Sequence, residues 1–332
     1  MQVILNKPGT RLHRKAGAFE ILTSDGAHKL AVSKVDSFLI TAKIRITSDA
    51  ILLAVENGID ILFVDGMGNP QARVWSHRFG SISTIRKQQI VFGTHVQGMV
   101  WIKEVLKNRV DSQGHLLRSL MRDRPAKVRL LESATEKIAG IGRKFESISP
   151  APLNDNIKAQ FRGWEGAASR IYFSTLSQIL PEMYRFNGRS RRPAKDLFNC
   201  ALNYCYGILY GKVELSLIKA GVDPFLGVFH RDEYNRPVLV YDMIELYRVW
   251  AETVVLQLCF RRVMGEEMVS SRKGGLWLEA LGKKVVISAM NDFLAEVVQY
   301  KHKRRSRVQH IQEDAHELAK QVITDTQDDI PF

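Results

Sequence analysis

The sequence predicts an α+β chain, a small N-terminal β-rich domain followed by a larger all-α C-terminal domain. Short β-branched runs separated by Gly, Pro, Asp and Ser crowd the first 75 positions. From about residue 82, apolar residues instead recur at intervals of three and four, the helical period, and they do so with few breaks to about residue 322. Between the two regimes lies "WSHRFGSIS", which carries neither pattern. The expected division is a β domain over 1–75, a linker over 76–90, a helical domain over 91–323 and a disordered tail over 324–332.

In chain order, "QVIL", "AFEIL", "SFLIT" and "IDILFV" read as strands. "SDAILLAVENG" reads as one short helix with Ser48 or Asp49 as N-cap and Gly58 as its stop. "GMGNP" at 66–70 offers two glycines of a dinucleotide fingerprint, but Pro70 and Gln71 stand where a helix should begin, so a hairpin turn is the better reading. Phe92, Val96, Met99, Ile102 and Leu106 then set the helical period. "GIGRKFES" at 140–147 lacks Walker A spacing and reads as a helix–helix junction, and "YKHKRRSR" at 300–307 as a basic helix face. The tail "TDTQDDIPF" is polar, acidic and aperiodic.

Lys plus Arg number 48 against 35 Asp plus Glu, a net charge of +13, which favours a polyanionic partner, nucleic acid foremost. The basic residues are scattered and no apolar run approaches the length of a spanning helix, so no membrane association is expected. The N-terminus places its apolar run ahead of its basic residues, the reverse of a secretory signal. Cys200, Cys205 and Cys259 are odd in number, lie in apolar segments and form no CxxC pair; they read as buried free thiols of a cytoplasmic protein. "HRDEYN" at 230–235 imitates a kinase catalytic loop, but Pro237 stands where that loop needs Asn and no glycine-rich loop accompanies it.

Two places carry carboxylates out of pattern. In "RGWEGAASRIYF", Glu165 sits between Gly163 and Gly166 in an otherwise apolar helical segment. In "GVFHRDEYNRPVLVYDMIELYR", one apolar run ends in His230 and a second in Asp242, with Glu245 one helical turn on. Each has an ordinary alternative: Asp242 and Glu245 also fit a capping box, Glu165 the edge of an amphipathic face, and His230 a satisfied loop histidine. Taken together, they form a mainly oxygen donor set with one imidazole, which suits Mn²⁺ or Mg²⁺ better than structural zinc. On a basic protein such a cation would meet phosphate, and the glycines flanking Glu165 would let a helix or a DNA backbone come close. Arg185, Arg189, Arg191, Arg192 and Lys195, interleaved with Tyr184 and Phe186, have the composition of a phosphate-gripping loop.

At these residues the chain resembles the CRISPR-associated integrase of spacer acquisition, the universal first CRISPR-associated protein ("Cas one"). "RGWEGAASRIYF" is similar to that family's Arg-Gly-x-Glu-Gly helix, "RRPAKDLFNCALNYCYG" to its Arg-Pro-Pro-x-Asp-x-x-Asn segment, and the His230 to Arg248 stretch to its last motif. The resemblance implies that Glu165, His230 and Glu245 bind a catalytic Mn²⁺ or Mg²⁺ and that Asp242 is a nearby assisting acid. Asp196 and Asn199 match the middle motif, for which a structural or DNA-facing role is expected. Ala194, Cys205 and Val249 depart from the pattern, away from the expected ligands. The resemblance further implies a homodimer through the β domains, double-stranded DNA as substrate (prespacer and CRISPR repeat), and a small second CRISPR-associated protein ("Cas two") completing a heterohexamer. The rival readings are a casposon-type transposon integrase, which usually adds a C-terminal DNA-binding domain, and a DNA-binding scaffold with no catalysis.

Overall fold

The structure is a computed structural model that describes residues 2–65, 70–74, 83–231, 234–300 and 302–324. It divides into two compact units, Met1–Phe79 and Gly80–Phe332. The first contains β1 (Gln2–Leu5), β2 (Arg11–Lys15), β3 (Ala18–Thr23), β4 (Gly26–Leu30), β5 (Ser37–Ile40), β6 (Arg45–Ile46), α1 (Ser48–Glu56), β7 (Asp60–Val64) and β8 (Pro70–Val74). They form two four-stranded sheets, β1-β5-β7-β8 and β4-β3-β2-β6. Phe19 and Phe38, both fully buried, meet edge to face at 4.9 Å and tie the two sheets into one core with Leu12, Leu53 and Ile61. The N-cap of α1 is Thr47, one residue before the expected Ser48 or Asp49, while Gly58 takes the positive φ of +65° that stops the helix. β7 and β8 pair antiparallel on either side of "GMGNP", whose residues 66–69 lie outside the described residues.

The second unit contains α2 (Ser83–Thr94), α3 (Val96–Met121), α4 (Val128–Glu146), α5 (Asp155–Ile179), α6 (Leu197–Lys219), α7 (Val238–Met243), α8 (Arg248–Phe260), β9 (Val269–Arg272), β10 (Gly275–Leu278), α9 (Ala280–Ala295), β11 (Val297–Tyr300), β12 (Lys303–Ser306) and α10 (Arg307–Thr324). α6 lies at its centre: Phe198, Ala201, Leu202, Cys205, Leu209, Val213 and Leu217 line it on several sides, and Lys219 alone along the helix is exposed. All three cysteines are free and buried.

Several sequence expectations give way here. α2 begins inside the stretch assigned to the linker, because two of its inward positions are glutamines and hide the apolar period. Gln89 is buried and gives its amide nitrogen to the Asp223 and Leu226 carbonyls at 2.7 and 2.9 Å while accepting from the Asp223 amide at 2.9 Å. Residue 75 of the expected β domain and residues 76–82 of the expected linker lie outside the described residues, as do 325–332 of the expected tail. "GIGRKFES" is no junction: α4 runs through it to Glu146, and a Cβ on Gly142 would come 2.9 Å from Asp111 Oδ1, so the glycine serves the approach of α4 to α3. The basic cluster after Tyr300 is a hairpin, not a helix face. β11 pairs with β12 around His302, which turns at a φ of +64°.

Candidate active site

The last motif folds around Asp242. This residue lies in the last turn of α7 with no exposed surface, so its carboxylate must find its partners inside the protein. It finds them in the preceding loop: Oδ2 accepts from the amides of Val228 and Phe229 at 2.7 and 3.0 Å, and Oδ1 from the amide of His230 at 3.0 Å. The capping-box reading of Asp242 is therefore replaced. The carboxylate collects three successive amides from a distant loop, and the helix it belongs to supplies none of them. Gly227 makes this approach possible, since a Cβ there would lie 2.9 Å from Val238 Cγ2 and 3.3 Å from Asp242 Oδ2.

Oδ1 of Asp242 also meets His230 Nδ1 at 2.6 Å. An ionised carboxylate only accepts, so Nδ1 donates, and in the neutral ring Nε2 keeps its lone pair. The imidazole side chain is 39% exposed while its Asp242 partner is fully buried, so the ring is fixed from behind and open in front. A carboxylate behind an imidazole is the arrangement that orients metal-binding histidines.

Glu245 follows in the short 3₁₀ turn Ile244–Leu246 and is 7% exposed. Its Oε1 accepts from Arg248 Nε at 2.6 Å, and Arg248 in turn donates to the Tyr210 hydroxyl at 2.9 Å and lies over the Tyr206 ring. Its Oε2 stands 3.6 Å from Arg109 Nε and is buried without a hydrogen bond. Arg109 is held by Glu252 through two bonds of 3.1 and 2.6 Å, and Glu252 accepts from the hydroxyls of Tyr172 and Tyr206 at 2.7 and 2.6 Å.

Glu165 occupies the partly buried middle of α5, where Oε1 accepts from Ser169 Oγ at 2.8 Å. Ser169 accepts from Gln113 Nε2 at 3.1 Å. A Cβ on Gly163 or Gly166 would meet nothing within 4 Å, so the surface of α5 is uncovered at these two positions. One turn earlier, Phe161 packs on Phe229 and Arg162 lies over the same ring, which sets α5 against the loop that carries His230.

Among the described residues, no group of three His, Cys, Asp or Glu side chains is arranged as the ligands of a metal ion. His230 faces Asp242, Glu245 faces two guanidinium groups and Glu165 faces Ser169. The donor set nonetheless suits a hard divalent cation: two carboxylates, one imidazole with a free Nε2, and in Glu245 Oε2 a buried anionic oxygen lacking a hydrogen bond.

The middle motif is structural. Asp196 caps α6, accepting from the Asn199 amide and side chain at 2.7 Å each, and buried Asn199 donates to the Gly188 carbonyl at 3.0 Å. Arg189 turns inward to Asn199 and Asn203, with its guanidinium 5.5 Å from the centres of both the Phe173 and Tyr206 rings. Tyr184 and Phe186 are buried anchors, Phe186 stacked on Phe198 at 4.4 Å, and so are not platforms for bases. Arg185, Arg191, Arg192 and Lys195 remain at the surface of this loop. The supporting residues Arg109, Gln113, Ser169 and Glu252 were not singled out from the sequence, although Arg109 and Gln113 interrupt the apolar stripe Ile102, Leu106, Leu117 of α3.

Comparison with known proteins places the chain in a family. The model of the family "CRISPR associated protein Cas1" matches residues 3–292. A relative from Archaeoglobus fulgidus, named CRISPR-associated endonuclease Cas1 1, is 30% identical over 284 residues, covering 82% of each chain. A Cas1 protein from Thermotoga maritima shares the fold with a TM-score of 0.79 at 22% identity over 98% of this chain and 97% of its own. A casposase bound to integration product shares it with a TM-score of 0.77 at 17% identity, over 98% and 91%. With nearly nine-tenths of its length matched by the family model, the chain belongs to the CRISPR-associated Cas1 family.

Proposed function

We propose that this chain is a DNA integrase and endonuclease that joins the 3′ ends of a short foreign DNA to a CRISPR repeat by transesterification. The observation that carries the site assignment is the His230–Asp242 pair, which fixes the ring from its Nδ1 side and leaves Nε2 free. Glu165, His230 and Glu245 would hold Mn²⁺ or Mg²⁺, whose chemistry when bound is to polarise a phosphoryl oxygen and to activate a water or 3′-hydroxyl nucleophile. Asp242 keeps the imidazole in one tautomer and one orientation. Arg248 and Arg109 flank Glu245 and fix its side chain in a site that is 7% exposed. The uncovered glycines Gly163 and Gly166 would let a DNA backbone come close to α5, and the net charge of +13 would draw the duplex in.

The same reading includes a homodimer formed through the β units and assembly with the small second CRISPR-associated protein. Family membership supports both. The test is strand transfer of a short 3′-hydroxyl duplex into supercoiled plasmid in Mn²⁺, with and without that partner. Joined product should vanish in Glu165→Ala and Glu245→Ala while DNA binding persists. Wild-type protein that neither joins nor cleaves even with the partner present would leave only a DNA-binding scaffold.

A further inference from the structure

The two acidic residues of the candidate site lie on different elements, yet one helix reaches both. Arg109 and Gln113 are successive positions of one face of α3, four residues apart. Arg109 comes to 3.6 Å from Glu245, and Gln113 reaches Glu165 through Ser169 by bonds of 3.1 and 2.8 Å. Both side chains are buried, 2% and 0% exposed, in a helix whose other inward residues are apolar.

Gln113 is the more informative of the two. Its nitrogen is spent on Ser169, and its Oε1 is left buried without a hydrogen bond. A buried amide with an orphan oxygen costs stability, and an apolar side chain of the same length would avoid that cost. A residue that the core alone had selected would not be a glutamine. We infer that Gln113 is a positioning residue: it orients Ser169 so that the Ser169 hydroxyl holds one oxygen of Glu165, and α3 thereby sets the placement of Glu165 relative to Glu245. Ser169 Oγ accepts from Gln113, so its own proton is committed to Glu165 Oε1. Oε2 of Glu165 takes no part in this contact and is left for a ligand.

This inference rests on the proposed role of Glu165 in cation binding, and the experiment separates the two. Mn²⁺ binding to the full chain is measured by titration calorimetry for wild type, Gln113→Met, Ser169→Ala, Glu165→Ala and the Gln113→Met/Glu165→Ala double variant, with Tm for each. Outer-layer partners of a metal site commonly contribute about tenfold or more in affinity. Gln113→Met is therefore expected to hold or raise Tm and to weaken Mn²⁺ about tenfold, Ser169→Ala to weaken it similarly, and Gln113→Met to change nothing further once Glu165 is alanine. Unchanged Mn²⁺ affinity in Gln113→Met and Ser169→Ala, while Glu165→Ala loses it, overturns the positioning role alone. A loss from Gln113→Met that persists without Glu165 also overturns it. Full Mn²⁺ affinity in Glu165→Ala overturns the cation role of Glu165 and the positioning role with it. If Gln113→Met does not fold, Ser169→Ala with and without Glu165→Ala decides by the same criteria.

Discussion

One carboxylate, that of Asp242, receives three consecutive backbone amides from Val228 to His230 and the imidazole of His230 at 2.6 Å. It shapes the loop and orients the ring in a single contact set. Asp242→Asn keeps the volume but presents an amide nitrogen to backbone donors, so one or more of the three amides loses its acceptor. Charge-assisted bonds of this kind contribute about 1.5–3 kcal/mol each, and Asp242→Asn is expected to lower unfolding stability by about 2–4 kcal/mol. Strand transfer should fall by at least about tenfold even where the protein remains folded, because the ring is no longer held in one tautomer. Denaturant titration beside an activity assay checks both; unchanged stability would show that the loop does not need the carboxylate.

Gly227 offers a second approach to the same pair. Gly227→Ala would force Val238 or the loop to yield, and overpacking of this order costs about 1–3 kcal/mol. The expected signature is a lower Tm together with a reduced turnover, since the loop that moves carries His230. Gly163→Ala is the control: its Cβ meets nothing, and α5 there should gain about 0.5–1 kcal/mol from the better helix former, so Tm should hold or rise.

The pair that the motifs do not mention has its own pH signature. Burial pushes the Glu252 carboxyl up, but the charge and hydrogen bond of Arg109, with the hydroxyls of Tyr206 and Tyr172, outweigh it and hold the group below its ordinary value of 4.5. A lowered folded value means that the stabilisation is complete above the ordinary carboxylate range and is lost as pH falls through the lower folded value. Wild-type Tm should therefore drop below about pH 4.5 more steeply than that of Glu252→Gln. At neutral pH, Glu252→Gln should already be destabilised by about 2–4 kcal/mol, because buried Arg109 loses its two-bond counter-charge and keeps only Glu245 at 3.6 Å. Parallel acid limbs for the two proteins would remove Glu252 from the acid response.

How much of this was legible follows from what each segment must satisfy. "QVIL", "AFEIL", "SFLIT" and "IDILFV" become β1, β3, β5 and β7, because strands with a buried face show it in their apolar residues. β2 and β4, "RLHRK" and "GAHKL", escape notice, as most of their side chains face water and only their neighbours reveal them. The hairpins β9–β10 and β11–β12 are hidden for the same reason inside a helical context. At the site, His230, Asp242, Glu245 and Glu165 stand out as charges at the ends or in the middle of apolar runs. Arg109, Gln113 and Glu252 sit on helices with many charges, and nothing local marks which of those are buried; only the break in the α3 stripe between Leu106 and Leu117 hints at it.

The cysteines allow a direct check of the core. Burial pushes the Cys200 and Cys259 thiols up to about 12, with a smaller contribution from the Asp196 charge, so almost no thiolate exists near neutral pH. A thiol reagent at pH 8 should react with the native protein only as fast as it opens, and with three equivalents once denatured. Rapid native labelling of any one of them would mean that α6 or α8 is exposed in solution.

The arginine loop separates two kinds of basic residue that its sequence presents as equals. Arg189 is spent inside the protein on Asn199, Asn203 and the faces of Phe173 and Tyr206, whereas Arg185, Arg191 and Lys195 lie at the surface. Arg189→Ala leaves the Asn199 and Asn203 carbonyls without their donor and empties a space between two rings, so its effect should fall on Tm, by about 2–4 kcal/mol. Arg191→Ala should leave Tm within about 0.5 kcal/mol. If Arg191 grips a phosphate, the slope of log affinity for duplex DNA against log salt should shrink by about one in Arg191→Ala, uniformly across sequences. Fluorescence anisotropy across a salt series beside a melting curve reads both. An unchanged salt slope in Arg191→Ala and Lys195→Ala alike would place the DNA backbone elsewhere on the molecule, while an unchanged Tm in Arg189→Ala would show that the loop is held by Asp196 and Asn199 without it.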